Sequence, residues 1–141
     1  MKNDSEGLVF NLTEFLVERA KSSRGARKRY RTKKKILAAT ALEMERVGYD
    51  SMTVDGIVDA ADMARGTFYL YFENRAEAAK AVLRRYNALR RVRRPRGGNS
   101  TSRYEAIFDS THYYISVYAR NAKLLAGREA LMREAPEVIK H

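Results

Sequence analysis

The sequence contains no cysteine and just two prolines, Pro95 and Pro136, in 141 residues. Without cysteine the chain has no disulfide framework, no thiolate nucleophile and no cysteine-based zinc site, and nothing in it indicates an oxidising compartment. The apolar residues are mostly alanine, leucine, valine, isoleucine and tyrosine, a mixture that favours helix over sheet. We therefore expect an all-α protein.

Long apolar runs are also missing. No stretch approaches the ~20 residues of a membrane span, and the N-terminus lacks the features of a signal peptide, so the sequence predicts a cytoplasmic protein. No phosphate loop, paired-carboxylate motif or arrangement of nucleophile and base is present, and we therefore expect no enzyme and no cofactor. His112 has Asp109 three residues before it but no further residue at a metal-ligand spacing, so no metal site is expected.

Acidic residues are few: 17 Asp and Glu stand against 28 Lys and Arg, which gives a formal net charge of +11. Ten basic residues and no acid lie from Arg19 to Lys35, and eight more lie from Arg84 to Arg103. This charge predicts a polyanionic partner, of which nucleic acid is the first candidate and an anionic membrane surface the second. A solvated or disordered segment is the alternative interpretation of either run.

Helical periodicity becomes regular from about residue 31. Apolar residues at helical spacing predict a first helix near 32–47, followed by Gly48 as its C-terminal cap. Before it, the amphipathic stretch over 8–20 predicts a short helix. The basic run that follows this stretch is expected to be a flexible arm, which could enter the minor groove of an adjacent duplex or track its phosphates.

Two short helices are predicted next, across a tight turn. Thr53 is placed to cap a helix that ends near Ala61, and a break at 62–64 precedes a third helix over 65–72. In a helix-turn-helix the second helix enters the major groove, so it needs polar or small residues outward and aromatic residues inward. Residues 53–72 meet this requirement, with Phe68 and Phe72 facing inward and Arg65, Thr67, Tyr69 and Tyr71 facing outward.

Longer helices are predicted in the second half. Asn74 is placed to cap a fourth helix, and residues 97–102 have the composition of a linker. A sixth helix is expected over 122–133, with Pro136 starting another. The fifth helix, near 103–120, would carry one face formed by Tyr104, Ile107, Phe108, Thr111, Ile115 and Tyr118.

The segments TVDGIVDAA (53–61) and RGTFYLYFENR (65–75) resemble the signature of the TetR family of bacterial transcriptional regulators, and the resemblance extends over about 32–80. Three positions depart from the family pattern. Asp62 stands where the turn usually has glycine, Ala64 where a serine often caps the recognition helix, and Arg75 where lysine is usual. None of the three breaks the geometry, because aspartate tolerates left-handed backbone and arginine keeps the cation.

The resemblance implies a three-helix DNA-binding domain followed by a long connecting helix and the first helices of a C-terminal regulatory domain. The corresponding division is a basic N-terminal extension over 1–30, the helix-turn-helix domain over 31–75 and the connecting and regulatory part over 76–141. The implied function is a homodimeric, sequence-specific repressor that binds a palindromic operator and is released by a small molecule. The chain is expected to stop before the family's last two helices.

The resemblance also implies roles for individual residues. Thr53 and Tyr69 would contact phosphates, Arg75 would hold a phosphate from the start of the fourth helix, and Gly66 would let the backbone approach the duplex. Each has an alternative role, since Thr53 is first a helix cap and a tyrosine of the motif can belong to the core. The predicted DNA-binding set is Lys33, Thr53, Ala64, Arg65, Gly66, Thr67, Tyr69, Tyr71 and Arg75.

An effector pocket is the least specific prediction. Phe108, Tyr114, Tyr118 and Met132 could line one, but aromatic and methionine residues at helical spacing are more often ordinary core.

Two other functions also fit parts of the sequence. The basic stretches suffice for a non-specific nucleic-acid-binding protein. The 8–20 segment with its basic tail suits a membrane surface.

Overall fold

The computed structural model describes residues 6–96 and 102–139, and all regular structure within these ranges is helical, as predicted. Residues 97–101 of the expected linker lie outside the described residues. No helix in the described ranges is long and apolar enough to cross a membrane. The α-helices are α1 (Leu12–Ser22), α2 (Lys28–Val47), α3 (Val54–Ala61), α4 (Arg65–Tyr69), α5 (Arg75–Arg93), α6 (Arg103–Arg120), α7 (Ala122–Leu125) and α8 (Arg128–Glu134), with 3₁₀ turns at Glu6–Leu8 and Pro136–Ile139.

The ends of the central helices follow from their capping residues. Gly48 has a φ of 78° and donates its N–H to the Met44 carbonyl, which ends α2. The Thr53 hydroxyl accepts the N–H of Gly56 at 3.0 Å and so begins α3. Asn74 caps α5 by accepting the N–H of Glu77 at 2.9 Å. The predicted caps are therefore confirmed.

The basic run from Arg19 to Lys35 is largely helical, so the expected flexible arm is wrong, as is a first helix that begins near residue 32. The end of α1, a short turn and the first turns of α2 contain the run. The physical reason is the apolar face of α1, whose Leu12 and Leu16 are buried in a contact with α2. Because that face is covered, it is not available to a membrane surface in the folded chain.

One buried amide connects the two ends of the described chain. Asn121, at the junction of α6 and α7, accepts the N–H of Leu12 at 2.7 Å and donates to the Phe10 carbonyl at 2.9 Å. Buried residues from both ends belong to one hydrophobic cluster. The division at 1–30, 31–75 and 76–141 is therefore crossed by core contacts, and it remains a prediction about function.

The second half differs from expectation in two places. The buried residues of α6 are Tyr113 and Val117, so the aromatic face predicted for this helix points outward instead. The sequence offered two apolar faces on α6, and periodicity does not indicate which one packs inward. The single helix expected over 122–133 is divided into α7 and α8, with Gly127 at the break.

Candidate nucleic-acid interface

The unit formed by α3, a tight turn and α4 has the geometry that residues 53–72 predicted. Asp62 ends α3 in the left-handed conformation, with a φ of 52°, which aspartate adopts more readily than most residues. The N–H of the next residue, Met63, donates to the Val58 carbonyl at 3.0 Å. Phe68 and Phe72 are both buried, as expected, although α4 ends at Tyr69 rather than at residue 72. The core therefore fixes the orientation of α4.

The outer surface of α4 carries polar and aromatic groups and no acidic residue. Arg65, Gly66 and Tyr69 are exposed, whereas Thr67 and Tyr71 are half-buried. Tyr71 packs against the core, and Tyr69 is 45% exposed. Both tyrosines were expected to face outward, and for Tyr71 this is wrong in part because its ring packs against the core, so Tyr69 is the more exposed of the two.

Arg65 is held in place by two neighbours. Its Nη2 donates to the Tyr69 hydroxyl at 3.2 Å, and its Nη1 lies 3.4 Å from a carboxylate oxygen of Asp55 in α3. The hydrogen bond to Tyr69, and then the charge of Asp55, raise the pKa of Arg65. Exposed ion pairs contribute little stability, so these contacts orient the guanidinium rather than hold the fold together.

Gly66 has no neighbour that explains it. A Cβ built at Gly66 would meet nothing within 4 Å, and the residue is exposed. Gly56 in α3 differs, because its Cβ would lie 2.7 Å from the Glu43 carboxylate, so a side chain there would have to displace the end of Glu43 in α2. Since glycine in a helix costs ~1 kcal/mol relative to alanine, the internal structure gives no reason for Gly66.

Three further residues of the predicted set lie at the surface. Thr53 is exposed while it caps α3. Ala64 occupies the N-cap of α4 and supplies no side-chain cap, which is the expected consequence of having alanine where serine is common. Lys33 is exposed on α2. None of these placements tests DNA contact, which stays a prediction for each residue.

Arg75 has partners that the sequence did not predict. Its Nη1 donates to the carbonyls of Tyr49, Asp50 and Met52 at 2.9, 3.1 and 2.8 Å, and its Nη2 donates to Glu134 at 3.0 Å. The guanidinium thus connects the loop before α3 with α8. A phosphate contact by this residue remains a prediction, but its hydrogen-bonding capacity is largely taken up within the protein.

Tyr49 completes the junction between that loop and α8. Its hydroxyl donates to the Glu134 carboxylate, and the Arg75 guanidinium lies over its ring at 4.6 Å. Burial, and then the hydrogen bond to Glu134, raise the pKa of Tyr49. At Gly127 a Cβ would lie 2.6 Å from the Cβ of Tyr49, so the break between α7 and α8 requires glycine. We call Tyr49, Arg75, Gly127 and Glu134 the α8 junction.

The predicted effector-pocket residues do not come together around an enclosed space in the described ranges. Phe108 is 54% and Tyr118 61% exposed, Tyr114 is also exposed, and Met132 is half-buried. A groove that lies between α1, α2 and α3 contains none of these four. Their role as a pocket stays a prediction.

Leu70 is a surface residue that the sequence reasoning missed. It follows α4 directly and is 77% exposed, although leucine usually belongs to a core. Its position between the exposed Tyr69 and the half-buried Tyr71 was the available signal. An exposed leucine at the end of α4 is available for an apolar contact with a partner.

The fold and the exposed α4 surface define a helix-turn-helix protein. Residues 36–82 match the family described as "Bacterial regulatory proteins, tetR family". A curated relative from Lactococcus lactis subsp. lactis, named "Uncharacterized HTH-type transcriptional regulator in lacX 3'region", is 38% identical over 52 residues. The aligned segment covers 37% of this chain and 26% of that protein. No solved structure matches the chain with statistical significance.

The similarity to this family therefore lies in the helix-turn-helix region.

Proposed function

We propose that the chain is a sequence-specific, DNA-binding transcriptional regulator, and that residues 31–75 are its DNA-binding unit. The observation that carries the proposal is the outer surface of α4, where Arg65 and Tyr69 are exposed and orient each other through a hydrogen bond. Polar and aromatic side chains on a helix of this kind can read base edges in the major groove. The net charge of +11 supplies the general attraction to phosphates.

Four exposed residues of the unit have a proposed role. Arg65 reads a base or holds an adjacent phosphate, while Tyr69 and Thr53 contact the backbone. Gly66 allows the duplex to approach α4 closely, because no side chain separates the two surfaces. Thr67 and Tyr71, which are half-buried, contribute at the edge of the contact.

The regulator is proposed to act as a homodimeric repressor released by a small molecule. A dimer would place two copies of α4 in successive major grooves about 34–36 Å apart on a palindromic operator. The exposed apolar face of α6 supports a dimer, because large exposed apolar patches usually mark interaction sites and a second copy could cover this one. This face is formed by Tyr104, Ile107, Phe108, Ile115 and Tyr118.

The test is an in vitro selection from random duplex DNA at near-physiological salt. The intact chain is compared with an Arg65→Ala, Tyr69→Ala double variant and with Arg91→Ala, which removes the same charge from an exposed position on α5. We expect an enriched palindrome that the double variant binds at least 100-fold more weakly, because it loses the Arg65 base contact, which contributes about 1–3 kcal/mol, together with the Tyr69 backbone contact. Arg91→Ala should stay within about threefold, since it removes one general phosphate attraction.

Two outcomes would contradict the proposal. If the intact chain binds DNA without enriching any sequence, and if binding falls steeply with salt, the protein is a non-specific nucleic-acid binder. If Arg91→Ala lowers affinity for the enriched sequence as much as the double variant does, the α4 surface is not the recognition surface.

A further inference from the structure

A groove of about 860 Å³ lies where α1, α2 and the end of α3 meet. Its volume is within the range of about 300–1,000 Å³ that is common for small-molecule sites. About half of its lining residues are apolar, and no acidic residue is among them. The cations that line it are Lys21, Arg24, Lys28, Arg31 and Lys35. A lining of this kind is complementary to a molecule that is both apolar and anionic.

One row of side chains on α2 runs from the cationic lining residues to the apolar ones. Lys28, Arg31 and Lys35 occupy the first turns of the helix, and Ala38 and Leu42 continue the row in later turns. Residues spaced by three or four lie on the same helix face, so these five side chains border the groove in sequence order. The groove is therefore cationic at one end and apolar at the other.

The cationic end lacks partners of its own. Within residues 6–96 and 102–137, none of the five groove cations forms an ion pair with a carboxylate. In the same ranges, Nε of Arg31 is shielded from solvent and has no hydrogen-bond partner. Because the groove cations have no carboxylate partner in these ranges, they are available to an anion placed at this end of the groove.

The start of α2 also attracts an anion. The helix begins after Arg27 with no side-chain cap, and its first turn contains no acidic residue. The N–H groups of a first helical turn lack intrahelical partners, and the helix dipole makes this end attractive to anions. The positive end of α2 therefore coincides with the cationic end of the groove.

We propose that the groove binds a monomeric long-chain carboxylate, with its head group at the start of α2 and its acyl chain over Ala38 and Leu42. A phosphate of DNA would meet the cations but leave the apolar end uncovered. A neutral lipid would fill the apolar end but leave Arg31 unpaired. A single-chain carboxylate satisfies both ends at once.

The experiment titrates laurate into the intact chain by calorimetry, below the concentration at which laurate forms micelles and without DNA. Acetate and inorganic phosphate serve as head groups without a chain. Arg31→Gln alters the cationic end and Leu42→Glu the apolar end, while Arg84→Gln removes the same charge as Arg31→Gln from an exposed position outside the groove. Far-UV circular dichroism checks that each variant is folded.

We expect laurate to bind at least tenfold more tightly than acetate or phosphate, and to raise the thermal unfolding midpoint, as a ligand of the native state does. Binding should weaken at least tenfold in both groove variants and stay within twofold in Arg84→Gln. If Arg84→Gln weakens binding equally, or laurate lowers the midpoint, the attraction is general and the proposal fails.

It also fails if acetate or phosphate binds as tightly as laurate, or if the chain binds anionic phosphatidylglycerol vesicles but not monomeric laurate. Because no DNA is present, none of these results bears on the proposed regulator function.

Discussion

Arg65 and Arg75 lie at opposite ends of the same motif, and both were expected to contact DNA. Arg65 is exposed, and within the described ranges its side chain binds Tyr69 and Asp55, two surface groups. Arg75 instead donates to three loop carbonyls and to Glu134 of α8. The comparison shows that a basic residue within a recognition motif can belong to its supporting structure. The difference lies in the acceptors around it, which are backbone carbonyls distant in sequence.

The largest effect on folding is expected from Arg75→Met, which keeps much of the side-chain volume but removes the donors. Three loop carbonyls and Glu134 then lose a charged partner. We expect the free energy of unfolding, measured by urea denaturation, to fall by about 2–3 kcal/mol, since hydrogen bonds to charged groups are the strong ones and the Arg75–Glu134 pair is partly exposed.

Arg91→Met on the same helix is the matched control, because Arg91 is exposed, and it should change stability by less than about 0.5 kcal/mol. The opposite result would show that Arg75 is not a supporting residue of the motif. If Arg75→Met retains wild-type stability but binds duplex DNA more weakly, Arg75 acts as a phosphate contact like Arg65.

A smaller loss is expected from Gly127→Ala at the α8 junction. The backbone of Gly127 has a φ of −79°, which alanine adopts without strain, so any effect comes from the added methyl group. That carbon would lie 2.6 Å from the Cβ of Tyr49, which is too close for contact and cannot rotate away. We expect a loss of about 1–2 kcal/mol by urea denaturation, in the lower part of the usual cost of overpacking.

Gly25→Ala provides the control, because a Cβ there meets nothing within 4 Å. Equal stability of Gly127→Ala and the wild-type protein would show that α8 can move away from Tyr49 at little cost, and that the α8 junction is adaptable.

Much of the helix-turn-helix could be predicted from sequence because its determinants are local. Thr53, Asn74 and Gly48 act on backbone groups within a few residues of themselves, and Phe68 and Phe72 follow helical spacing. These signals require no knowledge of distant segments. The caps, the turn and the inward aromatic pair were accordingly placed correctly.

The α8 junction could not be predicted for the converse reason. Arg75 and Glu134 are 59 positions apart, and the acceptors in the loop are main-chain carbonyls that every residue possesses. Charge density also does not reveal that the basic run is helical, because the packing of two leucines of α1 against α2 decides it. The sequence also does not indicate which apolar face of α6 packs inward, since both faces carry aromatic residues.

The smallest effect on folding is expected from Gly66→Ala. Unlike Gly127→Ala, this variant should be more stable than the wild-type protein. Alanine at Gly66 meets no neighbour and favours helix, so Gly66→Ala should raise the free energy of unfolding by about 0.5–1 kcal/mol. If glycine is there to admit the duplex, the same variant should bind the selected operator at least tenfold more weakly, a loss of about 1.4 kcal/mol in binding free energy. Fluorescence anisotropy with labelled operator measures the second quantity. If the variant is more stable and binds with unchanged affinity, Gly66 has no part in DNA recognition. Arg65 and Tyr69 are then the residues that define the α4 surface.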